Sequence, residues 1–487
     1  MTSSPRANGG SGSSPAEHPI FDDAFARVTT LAAHERMFRR ARRVMVAFSG
    51  GPDSLACLLL MRKLGERDGF DVVAAHFDHQ LRPGSADDLD LARAICGELG
   101  IECVTGEGDV ASVAGQQRMG IEETARRMRY QFLAFVAGKE NADCLVTGHT
   151  ADDQAETVLM RVIRGTGIRG LRGMAPVAGI PSAPAQRLVR PLLCLRRQET
   201  HAICDEAGIE PVLDASNDDP RYTRNRLRVE TLPALRQMNP AVDGALLNLA
   251  ESARQVFDSI ERQALELRPI MRGPVGTTFA LADVRALPTE ALTLVIEREA
   301  AFGKAEASIG RSRLRDVRDV LVHGSGLVAF GPCVVEVSCG QVRVGPQLED
   351  VEPFEARVLN IPGSTAAGPW RVDVSTDVVE GSAGEIVFAI GNGSYRGLLR
   401  VRQVQPGDRM LLHGMHRRVS DVFINHKVPR WERPGTVAVA DADALLALAG
   451  AFGVIADEAA DRDDALFVRI RPAAPPVQAA RIELPQA

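Results

Sequence analysis

The chain has 487 residues, of which 45% are hydrophobic and 25% charged, and its formal net charge is −6. These proportions are typical of globular proteins and exclude collagen-like, purely coiled-coil and wholly disordered chains. At roughly 100–200 residues per domain, the length predicts about three domains. The overall acidic balance gives no support for a nucleic-acid partner.

The first part of the chain alternates short apolar runs with longer helical patterns. Strands are predicted over 44–48, 70–77, 101–105 and 144–147, and helices over 55–64, 86–99, 121–136 and 152–163. Strands and helices that alternate at these lengths form a parallel sheet with helices on both faces, which is the α/β class. Ligands of such sheets bind beyond the carboxyl ends of the strands, and the motifs described below lie at those ends.

After Arg190 the pattern becomes helical and then rich in strands. Helices are predicted over 190–207, 225–235 and 241–267, and strands over 401–410, 436–440 and 452–455, while helical and strand signals are mixed over 275–345. We therefore predict five parts: a disordered tail over 1–19, an N-terminal domain over 20–235, a helical middle domain with a linker over 236–360, a small α+β C-terminal domain over 361–475, and a second tail over 476–487.

The eight cysteines are scattered and form no Cys-x-x-Cys pair, which argues against zinc-ribbon, iron–sulfur and dithiol sites. Most of them lie in apolar runs, where free thiols behave as small hydrophobic side chains. No apolar run reaches the roughly 18–20 residues that span a bilayer, and Met1–Pro19 lacks the apolar centre of a signal peptide. The sequence therefore predicts a cytoplasmic protein without a membrane partner.

A glycine loop joins the first predicted strand to the first helix, with the sequence Phe48-Ser49-Gly50-Gly51-Pro52-Asp53-Ser54. Two glycines let the backbone approach an anion, and the free N–H groups at a helix start favour negative charge. The loop lacks the Gly-Lys-Ser/Thr of a Walker A motif. Because Asp53 repels phosphates unless a cation lies between them, we predict phosphate binding with Mg²⁺ held by Asp53. The alternative is an ordinary capped turn.

Polar side chains follow the fourth predicted strand at His149, Asp152, Asp153 and Glu156. Asp153 and Glu156 are three residues apart, and Asp152 and Glu156 four, so the acids share one face of the helix. A metal site is one interpretation, although the spacing is not typical of one. A second is that the acids complement the helix dipole. We favour a third, in which two carboxylates hold and orient a nucleophilic amine.

Arg126 and Arg129 lie three residues apart on the predicted helix 121–136. They would neutralise phosphate charge in a transition state, or, as the alternative, Arg126 would form a solvated salt-bridged face with Glu122. His76 ends the second predicted strand and is assigned to the nucleotide pocket, with a packed core histidine as the alternative.

An arginine-rich stretch revises the conclusion drawn from net charge. From Arg161 to Arg236 there are 13 arginines, no lysine and 8 acids, a local net charge of +5. The planar guanidinium suits phosphate oxygens, and backbone contacts supply most of the salt-dependent affinity for nucleic acid. The stretch could therefore form an RNA-binding face, although on charge alone a solvated, salt-bridged face is slightly favoured. Its tightest cluster consists of Arg221, Arg224, Arg226 and Arg228.

The glycine loop resembles the pyrophosphate-binding loop of the ATP pyrophosphatases, the PP-loop superfamily. Six further strings, in order, resemble bacterial tRNA(Ile)-lysidine synthetases. The resemblance is dense over about 43–240, thin over 240–390, and returns near 406–409 and 419–430. The six strings are His76-Phe77-Asp78-His79-Gln80-Leu81-Arg82, Glu122 to Tyr130, Gly148 to Thr157, Arg164 to Leu171, Arg190-Pro191-Leu192-Leu193, and Ser216-Asn217-Asp218 with Arg224 to Arg228.

The resemblance implies a Rossmann-like sheet of the adenine nucleotide α-hydrolase type and a ligase that uses ATP and Mg²⁺. ATP would adenylate the wobble cytidine of the CAU-anticodon tRNA(Ile), and L-lysine would displace AMP to give lysidine, which changes decoding from AUG to AUA. The implied site residues are Asp53, Arg126, Arg129 and His149 for catalysis, Ser49, Gly50, Gly51, Pro52, Asp53, Ser54 and His76 for ATP and pyrophosphate, Asp153 and Glu156 for lysine, and Arg221, Arg224, Arg226, Arg228, Arg409, Arg417 and Arg430 for tRNA.

One residue departs from the family pattern: Thr150 replaces a common histidine and leaves His149 as the base or ATP contact. A tRNA thiolase would need paired cysteines, and an amidotransferase would need a glutaminase module. A catalytically silent RNA-binding protein is disfavoured because Ser49, Asp53 and Ser54 are intact. The oligomeric state (a dimer is one option), the general base, the role of 275–345 and the rejection of the methionine tRNA are left open.

Overall fold

A computed structural model of the chain describes residues 19–80, 85–212, 223–302, 309–348, 352–382, 384–457 and 464–473. The chain divides into two units with dense internal contacts, 1–258 and 259–487. The finer boundaries predicted at 235/236 and 360/361 stay predictions.

The first unit is built on a six-stranded sheet in the order β3-β2-β1-β4-β6-β5. All neighbouring pairs are parallel except β5 with β6, which pair antiparallel at one edge. The strand order reverses between β1 and β4, which is where α/β sheets bind ligands. The strands are β1 (Arg43–Ala47), β2 (Asp71–Asp78), β3 (Glu102–Glu107), β4 (Cys144–Thr147), β5 (Val177–Ile180) and β6 (Ala183–Val189).

Helices cover both faces of this sheet. Along β1, Val44 and Val46 pack into one apolar core with α2, whereas Met45 packs into a second core with α5, as the two-residue period of a strand requires. The helices are α1 (Pro19–His34), α2 (Pro52–Asp68), α3 (Ser85–Glu98), α4 (Val110–Gln117), α5 (Ile121–Lys139), α6 (Ala151–Ile163), α7 (Ile168–Leu171), α8 (Arg197–Ala207), α9 (Thr223–Arg226), α10 (Leu232–Met238) and α11 (Val242–Glu266), the last of which crosses the unit boundary.

The predicted α/β class and its first four strands are confirmed. The helix predicted over 190–207 is wrong in its first part, where a 3₁₀ turn (Pro191–Cys194) precedes α8. The chain is extended at Leu195, whose carbonyl accepts a 2.8 Å hydrogen bond from the Ala151 N–H. That bond joins the start of α8 to the start of α6. The helix predicted over 225–235 is interrupted by a π-helical turn over Leu227–Thr231.

The stretch 275–345, whose sequence signals were mixed, contains helices, as expected of the middle domain. It also contains most of a five-stranded antiparallel sheet in the order β7-β8-β11-β10-β9. The helices pack their apolar residues, such as Val295 and Val317, against the core of this sheet. The elements are β7 (Met271–Gly273), β8 (Gly276–Ala280), α12 (Leu281–Ala286), α13 (Thr289–Phe302), α14 (Arg311–His323), β9 (Gly326–Phe330), β10 (Cys333–Ser338) and β11 (Gln341–Pro346).

The C-terminal part contains two more sheets, one of seven strands and one of four. The strand predicted over 401–410 is two strands, because the Pro406-Gly407 turn, with Gly407 at φ +91°, separates them. The elements are β12 (Arg357–Val358), β13 (Gly363–Ala367), β14 (Trp370–Ser375), β15 (Ile386–Gly391), β16 (Arg400–Gln403), β17 (Arg409–Leu412), β18 (Met415–Arg418), α15 (Val419–Asn425), β19 (Val437–Ala440), β20 (Leu445–Gly450), β21 (Gly453–Ala456) and β22 (Ala465–Pro472). In the part of the chain that the structure describes, no helix has the length and apolar character needed to cross a bilayer.

Candidate active site

The glycine loop lies between β1 and α2, as predicted, and its conformation depends on glycine. Gly50 has φ +84°, and a Cβ there would lie 2.8 Å from Val212 Cγ2. The Gly50 carbonyl accepts a 3.0 Å hydrogen bond from Val212 N–H. The Ser54 hydroxyl donates to the Gly51 carbonyl at 2.8 Å and lies 3.2 Å from the Ser49 hydroxyl. The loop therefore brings two hydroxyls and the N-terminus of α2 to the carboxyl end of β1.

The end of β4 packs directly against the start of α2. A Cβ at Gly148 would lie 2.6 Å from the Asp53 carbonyl oxygen, so only glycine permits this approach. Thr150 then begins α6 with a capping box, in which its N–H donates to Asp153 Oδ2 at 2.8 Å. The replacement of the common histidine by Thr150 thus supplies a helix cap. The cap uses Asp153 Oδ2, so that Oδ1 is available to other partners.

Three arginines bind the predicted lysine site, and with the carboxylates they form an arginine–carboxylate cluster. Glu156, with a side chain only 1% exposed, accepts hydrogen bonds from Arg224 Nε at 2.8 Å and Arg228 Nε at 2.7 Å. Asp153 Oδ1 accepts from Arg224 Nη2 at 3.0 Å and Arg197 Nη2 at 3.1 Å. The cluster consists of Asp53, Asp153, Glu156, Arg197, Arg224 and Arg228.

Both carboxylates of the predicted lysine site are stabilised in the charged form. Burial alone would raise their pKa values, but the arginines outweigh it. Arg224 and Arg197 hold the pKa of Asp153 below its ordinary value, and Arg228 with Arg224 does the same for the pKa of Glu156. Both carboxylates therefore remain charged, and their negative charges are paired with those of Arg197, Arg224 and Arg228.

Arg197 joins this site to the glycine loop. Its guanidinium lies 3.4 Å from Asp53 Oδ2 and 3.5 Å from Glu156 Oε1, and its backbone N–H donates to Asp152 Oδ2 at 2.8 Å. Thr200, one turn along α8, donates its hydroxyl hydrogen to Asp53 Oδ1. The first turn of α8 thereby fixes the carboxylate of Asp53 relative to Asp153 and Glu156.

The carboxylate of Asp53 is suited to the predicted role of binding Mg²⁺. Its pKa is raised, chiefly by burial, although Thr200 and Arg197 lower it. A nearby divalent cation would stabilise such a carboxylate, and Mg²⁺ is commonly held by one or two carboxylates together with substrate phosphates. Among the described residues there is no group of three or more His, Cys, Asp or Glu side chains suited to a metal ion. The structure therefore gives no support to an all-protein metal site at His149 and the acids.

The predicted histidines are held neutral. His76 Nδ1 lies 3.0 Å from the Phe48 carbonyl and so donates to it, and burial lowers the pKa of the ring. Burial and the charges of Arg190, Arg224 and Arg129 lower the pKa of His149 to about 3, against the opposing effect of Asp153. A neutral imidazole of such low basicity is a poor general base. It suits a hydrogen-bonded contact better than proton removal from an amine.

A second group of arginines surrounds Tyr130. The guanidinium carbons of Arg126 and Arg129 lie 5.0 and 5.8 Å from the centre of its ring. Arg190 lies near enough to interact electrostatically with Tyr130 and Arg126. Arg190 is 7% exposed, and its Nε has no hydrogen-bond partner in the described structure. Arg126 and Glu122 both lie within the described residues, and no ion pair joins them, so the salt bridge in the predicted alternative is not observed. Clustered arginines of this kind suit a polyanion.

The predicted tRNA-binding arginines fall into different environments. Arg224 and Arg228 point into the cluster, Arg226 is exposed, and Arg221 lies outside the described residues. On the β17–β18 hairpin and the turn after α15, Arg409 and Arg430 are exposed and Arg417 is half-buried. These roles stay predictions.

Three residues of the site were missed by the sequence analysis: Arg190, Arg197 and Thr200. Arg190 opens one of the quoted strings, but no spacing indicated a phosphate role for it. Arg197 and Thr200 lie on the first turn of α8, which the sequence analysis placed inside a longer helix. Their only local signal is the polar start of a helix after an apolar turn.

Comparisons with known proteins agree with this geometry. Residues 23–235 match the family model of a PP-loop domain, and residues 399–470 match that of the TilS substrate C-terminal domain. A tRNA(Ile)-lysidine synthase of Geobacter sulfurreducens is 31% identical, over 88% of this chain and 93% of the relative. Relatives of the same name from Geobacillus kaustophilus (28%, over 91% and 98%) and Bacillus subtilis (30%, over 82% and 87%) match similarly.

The two matched regions lie in the order and at the positions where the sequence strings resemble the family, and the three relatives match 82–91% of the chain. The site between β1 and β4 carries the glycine loop and the paired carboxylates that those strings contain. The chain therefore belongs to the tRNA(Ile)-lysidine synthase family.

Proposed function

We propose that the chain joins free L-lysine to C2 of the wobble cytidine in the CAU-anticodon tRNA(Ile), with ATP converted to AMP and pyrophosphate. In the first step the cytidine O2 forms a bond to the α-phosphate of ATP and pyrophosphate leaves. In the second step the lysine Nε, as the free amine, forms a bond to C2 and loses a proton, and AMP leaves with the oxygen. One observation carries the proposal: Arg197 brings Asp53 of the phosphate loop together with Asp153 and Glu156.

ATP use follows from membership of a PP-loop family. The hydroxyls of Ser49 and Ser54, the backbone of Gly50 and Gly51 and the N-terminus of α2 would hold the pyrophosphate group. Arg126 and Arg129 would stabilise the charge that develops during phosphoryl transfer. Arg190 joins them around Tyr130, so we add it to this group. His76 and His149, both neutral, would contact the nucleotide by hydrogen bonds.

Mg²⁺ would be held by Asp53 and by phosphate oxygens. The ion would supply charge neutralisation at the β,γ-phosphates, the positions where Asp53 would otherwise repel them. Thr200 and Arg197 keep the Asp53 carboxylate in one orientation. Asp53 itself holds no proton at neutral pH in this role, because a bound cation favours its charged form.

Lysine would be held by Asp153 and Glu156. Both are buried at the start of α6, and both remain charged. A carboxylate pair that binds ammonium groups on a rigid helix orients the side chain and raises the effective concentration of its amine at C2.

The test is incubation with the CAU-anticodon tRNA(Ile), ATP and radiolabelled lysine. We expect incorporation that requires both tRNA and ATP, with one AMP released for each lysine incorporated. D53N should lose AMP release while tRNA retention on a filter is unchanged. D71N, an exposed residue at the opposite end of the sheet, is the matched control and should behave as wild type.

Two results would contradict the proposal. One is no incorporation by the wild-type protein under conditions where a relative of known activity incorporates lysine. The other is a D53N variant that loses tRNA binding to the same extent as turnover, since Asp53 would then act in binding and not in activation.

A further inference from the structure

The carboxylates assigned to lysine have no acceptor atom free of a partner from the chain itself. Glu156 Oε1 accepts from Arg228 Nε at 2.7 Å, and Oε2 accepts from Arg224 Nε at 2.8 Å and Arg228 Nη2 at 3.1 Å. Asp153 Oδ2 is used by the cap of α6, and Oδ1 by Arg224 and Arg197. A lysine ammonium must therefore displace an arginine from these oxygens in order to bind.

The three arginines differ in how firmly they are fixed. Arg197 belongs to the eleven-residue helix α8, its backbone donates to Asp152, and it also contacts Asp53. Arg224 and Arg228 come from the four-residue helix α9 and the π-helical turn that follows it. π-helical turns are less stable than α-helix and often occur at functional sites. Arg224 and Arg228 are therefore the side chains that can leave.

Asp153 and Glu156 attract the Arg224 guanidinium, and a neighbouring arginine opposes that attraction. The positive charge of Arg129 repels that of Arg224. Exposed Arg226 lies between Arg224 and Arg228 in the sequence, and the side chains of these two are 26% and 27% exposed. A polyanion that approaches Arg224 and Arg228 meets two partly exposed guanidinium groups, with a third exposed arginine between them in the sequence. Guanidinium groups pair as well with phosphate as with carboxylate.

We propose that Arg224 and Arg228 compete with lysine for Asp153 and Glu156, and that tRNA phosphates draw these two arginines away, so that tRNA binding opens the lysine site. This inference rests on the proposed function of the two carboxylates. In this inference Arg224 and Arg228 pair with the two carboxylates before tRNA binds, and with tRNA phosphates afterwards. This exchange also makes lysine bind well only where its acceptor is present, which limits unproductive occupation of the site.

The test measures the binding of radiolabelled lysine by equilibrium dialysis, with and without the CAU-anticodon tRNA(Ile). In the wild-type protein we expect tRNA to tighten lysine binding by about tenfold or more, within the usual range of coupling between sites. The double variant R224Q/R228Q should bind lysine without tRNA about as tightly as the wild type does with it. R62Q, which removes an exposed arginine from a helix surface pair with Glu66, is the matched control and should keep the wild-type dependence on tRNA.

The outcomes separate this inference from the proposed function. Lysine binding that is equally tight with and without tRNA would overturn the inference and leave the proposed function standing. No lysine binding under either condition, together with no incorporation, would overturn both. If the double variant does not fold, the wild-type comparison alone decides, because it needs no substitution.

Discussion

At the residue scale, the site depends on charges that are buried yet compensated. Glu156 is 1% exposed and accepts hydrogen bonds from two arginines. Removing one partner of a buried ion pair leaves the other charge unpaired, which costs about 3–5 kcal/mol. We expect E156Q to lower the free energy of unfolding by about this amount and to abolish lysine incorporation. Urea unfolding and the incorporation assay measure the two effects.

The control for this change is E122Q, an exposed glutamate in the first turn of α5. It removes the same charge without touching the cluster and should leave both measurements unchanged. An E156Q protein of wild-type stability would show that the arginines reorganise freely and that Glu156 is not tightly paired.

His149 supports a prediction about pH. Its pKa is lowered to about 3, mainly by burial and then by the surrounding arginines, whereas an unfolded histidine titrates near 6.5. Between these values the unfolded chain binds more protons, so stability is fully present above about pH 6.5 and falls as the pH decreases. We expect H149N to flatten the slope of unfolding free energy against pH between 4 and 6.5. H201N, at an exposed position on α8, should keep the wild-type slope.

At the element scale, local patterns predicted the sheet but not the cluster. The first four strands of the first unit are short apolar runs that alternate with helical patterns, so β1 to β4 could be identified from the sequence alone. The arginine–carboxylate cluster joins residues as far apart as Asp53 and Arg197, and no local periodicity encodes such a pairing. The short strands β7 and β8 lie beside helices α12 and α13, which explains why 275–345 gave mixed signals.

The contact between the end of β4 and the start of α2 gives a prediction for Gly148. A Cβ there would lie 2.6 Å from the Asp53 carbonyl oxygen, so G148A must displace the residue whose carboxylate we propose to hold Mg²⁺. We expect a large loss of kcat with far-ultraviolet circular dichroism unchanged. G97A is the matched control, because a Cβ at Gly97 meets nothing within 4 Å. As a helical glycine it should gain up to about 1 kcal/mol of stability. A fully active G148A would show that Asp53 need not hold its observed position.

At the scale of the whole molecule, the net charge of −6 is a poor guide to the partner. It averages acidic surface with the +5 stretch over 161–236 and with the basic residues of the C-terminal hairpin. Part of that positive charge is not available to a partner, because Arg224 and Arg228 pair with Asp153 and Glu156 inside the first unit. The exposed charge of the C-terminal unit then becomes the more important candidate for holding tRNA in place.

We therefore predict that Arg409, Arg417 and Arg430 account for a measurable share of the salt dependence of tRNA binding. Each phosphate contact contributes about 0.7 to the slope of log affinity against log salt for single-stranded nucleic acid and about 0.9 for duplex DNA. We expect the triple variant R409Q/R417Q/R430Q to weaken tRNA binding and to reduce that slope by about two, measured by filter retention across a salt series. R313Q removes an exposed arginine from a pair with Asp316 on α14 and should leave the slope unchanged. A triple variant with weaker binding but the wild-type slope would mean that these arginines support the fold of the hairpin and do not contact phosphates.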